Sequence, residues 1–158
     1  MLKAAAEHDA EMLASVVNCG AWLDYTEEDT RNTALHIVVI NCQDRSDYLY
    51  EAERLGLKVT DNGCDLITKL KPASRDAKLQ LEEDIRLWKE RNDGDTACVQ
   101  ALCDGHADPL LQNGMGKTCL ELAKGKDPKI MKMLEDQVMA LEKLAAEAEA
   151  EEENNNRK

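Results

Sequence analysis

The sequence predicts an all-α protein built from stacked helical hairpins, and three observations carry that reading. Apolar residues recur at helical spacing along most of the chain. Leucines that anchor apolar stretches stand at positions 2, 35, 66 and 120, separated by 33, 31 and 54 residues. The last interval is about one 33-residue period plus an insertion. Strand signals are few, because β-branched runs are short and alternation does not persist. One helical hairpin cannot bury its apolar face alone, so neighbours must stack and share an elongated core. At 158 residues the chain is long enough to bury one.

The elements follow in order. Leu2, Ala5 and Ala6 share a face of a short first helix, and the polar link Glu7-His8-Asp9 turns the chain. A second helix carries Met12, Leu13, Val16 and Val17, and Gly20 closes it in the left-handed region. The pattern returns at Thr33-Ala34-Leu35-His36, with Thr33 as helix cap, an apolar run at 37–40, and a helix through Tyr48, Leu49 and Ala52 that stops at Gly56. A third unit is predicted around Asn62-Gly63-Cys64-Asp65-Leu66-Ile67, after a shortened finger at 58–61. The fourth opens with Gly116-Lys117-Thr118-Cys119-Leu120, and Asp127-Pro128 reads as a cap followed by proline at the first helical position.

The stretch Ala107-Asp108-Pro109-Leu110-Leu111-Gln112-Asn113-Gly114-Met115-Gly116-Lys117-Thr118-Cys119-Leu120-Glu121-Leu122-Ala123, with Thr33-Ala34-Leu35-His36 and Gly20-Ala21, resembles the ankyrin-repeat family, whose 33-residue unit carries a T-P-L-H-x-A signature. The resemblance covers about 1–71 and 95–135. It implies an ankyrin-type helical-repeat solenoid over 1–135 with short hairpin fingers. Its units lie near 1–30, 31–61, 62–112 and 113–135, the third interrupted by an inserted helix at 72–94. An acidic helical tail, 136–158, follows. The fingers at 21–31 and 107–116 would project to one side and form a concave face with the first helices. His36 would hydrogen-bond within the stack. The unit near Leu66 lacks both Thr and His, and His106 stands where the family has glycine, a left-handed position that histidine tolerates better than most residues.

In the insertion Pro72 breaks, Ser74 caps, and residues 75–91 read as a helix with Ala77, Leu81, Ile85 and Trp88 on one stripe. Asn92-Asp93-Gly94 is predicted to end it. The stripe either packs on the stack or grips a partner through Leu81, Ile85 and Trp88. In the tail Leu134, Val138, Leu141, Ala145 and Ala148 follow a coiled-coil spacing for barely two heptads. That helix either caps the stack and frays or pairs briefly with another, and the low-complexity stretch 147–158 is predicted to be disordered without a partner.

Charge bounds the function. The net charge is −12, of which −5 lies in 135–158 and −7 in the body. Aromatics are 3% and Phe is absent, so both the positive field and the stacking rings of a nucleic-acid binder are missing. No window approaches the ~20 apolar residues of a membrane span, and the N-terminus lacks a signal-type apolar region, so no membrane partner is expected. The six cysteines, at 19, 42, 64, 98, 103 and 119, form no C-x-x-C pair. They read as free thiols in a reducing, cytoplasmic setting, with nuclear, cytoskeletal or ciliary placement open. No cofactor or metal is expected: a zinc site would need ligands gathered from distant elements.

Gly116-Lys117-Thr118 fails as a phosphate loop, because Leu111 stands where the loop's first glycine belongs. No nucleophile motif accompanies His36, so no enzyme is expected. The resemblance implies instead a protein–protein interaction module. Its candidate contact residues are Glu7, His8, Trp22, Asp24, Tyr25, Asn41, Leu111, Gln112 and Lys124 on the stack and Trp88 on the insertion. A basic or amphipathic segment of another protein suits the acidic body. The alternative is a structural subunit docked into a larger cytoskeletal or ciliary assembly through the inserted helix and tail.

Overall fold

The structure, a computed structural model, describes residues 1–60, 63–66 and 74–156. Helices dominate them: α1 (Leu2–Glu7), α2 (Ala10–Asn18), α3 (Ala34–Asn41), α4 (Arg45–Arg54), α5 (Arg75–Asp104), α6 (Cys119–Leu122) and α7 (Pro128–Asn156). Two short strands, β1 (Leu57–Thr60) and β2 (Gly63–Leu66), form an antiparallel pair.

Polar side chains start the helices where the sequence places them. Asp9 accepts from Met12 N, Thr33 from His36 N, Ser74 from Ala77 N and Thr118 from Glu121 N. Asp127 accepts from Lys129 N at the head of α7. Left-handed residues end or link them: Gly20, Gly56 and Gly125, and also His8 and His106. Histidine at 106 therefore does take the backbone region that the sequence required of it.

The helices lie in two rows. In one, α1 packs on α3 and α3 on α6; in the other, α2 packs on α5 and α5 on α7. Each row pairs across, α1 with α2, α3 with α5 and α6 with α7. The shared core holds Ala5, Leu13, Leu35, Val38, Cys98, Leu102, Cys119, Ile130 and Leu134, with Leu2 and Leu120 packed against it. Being central, α3 is apolar nearly all round, which explains its run of Ile and Val.

Four sequence expectations are corrected here. Leu66 anchors no helix; it stands in β2 opposite Leu57, where Val59 and Thr60 suit the extended backbone. The helix that pairs with α3 is the C-terminal half of α5 and not α4, so the middle hairpin is interrupted between its two helices and the units near 31–61 and 62–112 are not separate. α4 and β1 instead join Trp88 in a small second core of Ala52, Leu55 and Leu57, flanked by Tyr48, Leu81 and Ile85. Of the stripe on the inserted helix, Trp88, Leu81 and Ile85 thus pack in this satellite and not on the stack, while Ala77 is exposed.

Third, Asn92-Asp93-Gly94 does not end a helix, for α5 runs through it to Asp104. A mid-helix glycine costs about 1 kcal/mol relative to alanine. Trp88 is anchored on one side of it and Val99 and Leu102 on the other, and burying them outweighs that cost. Fourth, α7 stays helical to Asn156, through most of the stretch 147–158 expected to be disordered. Its Ala- and Glu-rich composition has high intrinsic helix propensity. Residues 157–158 of the tail lie outside the described residues, as do the expected break at Pro72 and the two ends, Asn62 and Ile67, of the third unit's signature.

Candidate functional site

The candidate residues separate into two groups at opposite ends of the first helices. Asn41 closes α3, whose eight residues span about 12 Å from the finger-side cap at Thr33. Glu7, His8, Asn41 and Lys124 occupy the turn end; Trp22, Asp24, Tyr25, Leu111 and Gln112 occupy the fingers. Trp88 belongs to neither. It is 7% exposed, stacks on Tyr48 with ring centroids 4.4 Å apart, and donates Nε1–H to Tyr48 O at 3.3 Å. A partner cannot use it as an anchor.

The first finger is held by its own main chain. Glu27 N donates to Asn32 O at 2.9 Å, Arg31 N to Glu27 O at 2.8 Å, and the Thr30 hydroxyl to Glu27 Oε2 at 2.6 Å. The second finger lies beside it: Gly114 N donates to Thr30 O at 2.8 Å and Asn113 Nδ2 to Asn32 Oδ1 at 2.9 Å. His36 adds a tie between α3 and the second finger. Its Nε2 donates to Lys117 O at 3.1 Å, while Nδ1 accepts from Thr33 N at 3.1 Å and from the Thr33 hydroxyl at 2.8 Å. A carbonyl can only accept, so this histidine is neutral with its proton on Nε2. Burial holds its pKa below the ordinary value.

On this rigid base Trp22 is 68% exposed and Tyr25 54% exposed, their rings edge-to-face at 6.1 Å. Asp24, Glu27, Glu28 and Asp29 are exposed around them, and Gln112 is exposed on the second finger, with Leu111 half-buried. Two aromatic faces within an acidic segment can hold a cation by ring quadrupole and charge together.

The turn end is chemically different. His8 Nε2 meets Asp95 Oδ1 at 2.7 Å, and Asp95 Oδ2 accepts from Gln43 N at 2.9 Å. Cys42, the buried residue that caps the C-terminal end of α3, brings Sγ to within 4.8 Å of both side chains. Burial and the nearby Asp95 push its thiol pKa far up. Cys98 Sγ donates to His8 O at 3.4 Å. Lys126 Nζ donates to Cys42 O and Asp44 Oδ1, both at 2.7 Å, and to Ile40 O at 3.2 Å, placing a cation on the C-terminal carbonyls of α3. His8 Nδ1 and Gln43 Oε1 are buried without a hydrogen-bond partner.

Of this knot the sequence had singled out His8 alone. The missed signal is positional: Asp95 stands four residues before the buried Val99, as Asp9 stands four before the buried Leu13. Asp9 caps α2, but α5 continues past Asp95, which frees its carboxylate for His8 and Gln43.

Between α4 and α5 lies a cleft of about 540 Å³ lined by charged residues of both signs, among them Asp47, Arg54, Asp84 and Arg91, with Tyr50 and Leu87. Among the described residues no helix is long and apolar enough to cross a membrane. No protein-family model matches the chain, and no curated protein matches it.

Proposed function

We propose that this chain is a non-enzymatic protein-interaction module of the ankyrin-repeat type, working in a cytoplasmic setting and binding a basic segment of another protein across its paired fingers. The paired rows of helices, the Thr-capped first helices and the bridge from His36 to the next finger support the ankyrin reading. The observation that carries the binding reading is the exposed Trp22–Tyr25 pair, seated among acids on a finger fixed by main-chain bonds. Trp22 and Tyr25 serve as anchors for a Lys or Arg side chain. Asp24 and its acidic neighbours supply the field that draws a cationic segment in and sets its register. Gln112 and Leu111 extend the contact onto the second finger. A structural role through the inserted helix loses its main anchor, because Trp88 is spent in the satellite core.

Fluorescence anisotropy with labelled Lys/Arg-rich and Asp/Glu-rich peptides of equal length tests this. The cationic peptides bind selectively, more weakly as salt rises. Trp22→Ala weakens them at least about tenfold, the scale of an interface hot spot, with the melting temperature unchanged. Equal binding of both peptide classes, or indifference to Trp22→Ala, refutes the proposal.

A further inference from the structure

We propose that His8, Cys42 and Asp95 form a site for a zinc-class divalent transition-metal ion, independent of the finger surface. Their donor atoms, one imidazole nitrogen, one thiol sulfur and one carboxylate oxygen, come from three separated parts of the chain and lie within 4.8 Å of one another. Around a tetrahedral zinc with bonds of 2.0–2.3 Å, donors stand about 3.3–3.8 Å apart. The present triad therefore needs the His8–Asp95 contact, now 2.7 Å, to open slightly to admit the ion.

The supports are already in place. Gln43 N fixes the outer oxygen of Asp95, Cys98 Sγ holds the backbone of His8, and Cys42 is pinned through its N–H to Val38 O and Val39 O and through its carbonyl to Lys126. Such second contacts orient ligands and govern affinity. Two polar atoms of the knot, His8 Nδ1 and Gln43 Oε1, are buried without partners, so its own hydrogen bonds do not saturate it.

The donor set selects the ion. A thiolate with imidazole favours zinc or cobalt over magnesium and calcium, which take oxygen ligands. His8 is partly exposed, which leaves a route for water to complete the sphere. Loading is a simple exchange: the ion binds Nε2, Sγ and Oδ1, the Cys42 thiol proton leaves to solvent, and the Nε2 proton moves to Nδ1. No oxidation is involved. The ion would fasten the α1–α2 turn, the end of α3 and the middle of α5 to one point.

The test uses the full-length chain with Zn²⁺ in calorimetry and Co²⁺ in absorption spectroscopy. We expect one equivalent of Zn²⁺, a raised melting temperature, and a tetrahedral Co²⁺ spectrum with a thiolate charge-transfer band. Cys42→Ser removes that band. Asp95→Asn and His8→Asn weaken binding at least about 100-fold, the upper end seen even for outer-shell changes. His8→Asn keeps a residue suited to the left-handed backbone, so it separates ligand loss from misfolding. Cys19→Ser, at an exposed thiol outside the cluster, leaves binding intact. Absence of stoichiometric binding by the wild-type chain overturns the proposal. So does binding that survives His8→Asn and Asp95→Asn, or that disappears with Cys19→Ser.

Discussion

Thr30 and Gly114 lock the two fingers together through one main-chain bond, Gly114 N to Thr30 O at 2.8 Å. The contact leaves no room for a side chain, since a Cβ at 114 would sit 2.8 Å from the same Thr30 oxygen. That oxygen is backbone, held in turn by the first finger, so it cannot simply swing aside. Gly114→Ala is expected to lower stability by about 1–3 kcal/mol, the usual cost of forcing extra volume into a packed contact. Urea unfolding of the variant against the wild type measures it, and an unchanged midpoint would show that the fingers are not coupled.

His36 gives the fold an acid-side weakness. Its imidazole is neutral in the stack and its pKa lies below the usual 6.5, chiefly because it is buried, although the carbonyls of Lys117 and Leu111 work in the opposite sense. The unfolded chain therefore takes up this proton first as pH falls. The stabilisation is complete above the unfolded pKa and is lost as pH drops from there toward the folded pKa, at up to about 1.4 kcal/mol per pH unit. Urea midpoints at about pH 7 and about pH 5.5 should differ by more in the wild type than in His36→Gln, which cannot titrate. Parallel pH profiles in the two proteins contradict this.

Trp88 is the keystone of the satellite core, which among the described residues is a cluster separate from the main one. Truncating a buried tryptophan to alanine costs about 3–5 kcal/mol. The loss from Trp88→Ala should be local: amide hydrogen exchange in α4 and β1 accelerates strongly, while α2, α3 and the 98–103 segment of α5 keep most of their protection. Uniform acceleration across the chain would mean that the two cores unfold as one.

Much of the main core was legible in the sequence because capping and periodicity are local signals. Thr33, Asp127 and Thr118 each announce a helix start within four residues, and Leu2, Leu35 and Leu120 do reach a common interior. The partner of α3 was not legible, since choosing between α4 and the far half of α5 depends on which helix buries more against Val38 and Leu35, a long-range matter. Leu66 misled for a related reason: a four-residue strand fixes its identity through pairing across to β1, and four residues hold too little periodicity to declare it. Trp88 looked like an interface anchor because burial cannot be read from residue type. The exposure of Trp22 and Tyr25 follows from their place in an acid-rich connection. The meeting of His8, Cys42 and Asp95 depends on three chain positions that only the stacked turns bring together.

The unbroken run of α5 also has a mechanical meaning. Thirty residues of helix make a rod of about 45 Å. Its C-terminal third is embedded in the stack through Val99 and Leu102, and its middle carries the satellite through Trp88. No flexible joint separates them along this element. A load applied to α4 or the strand pair is therefore carried as torque straight into the central hairpin, so whatever grips the outlying piece also tugs on the trunk.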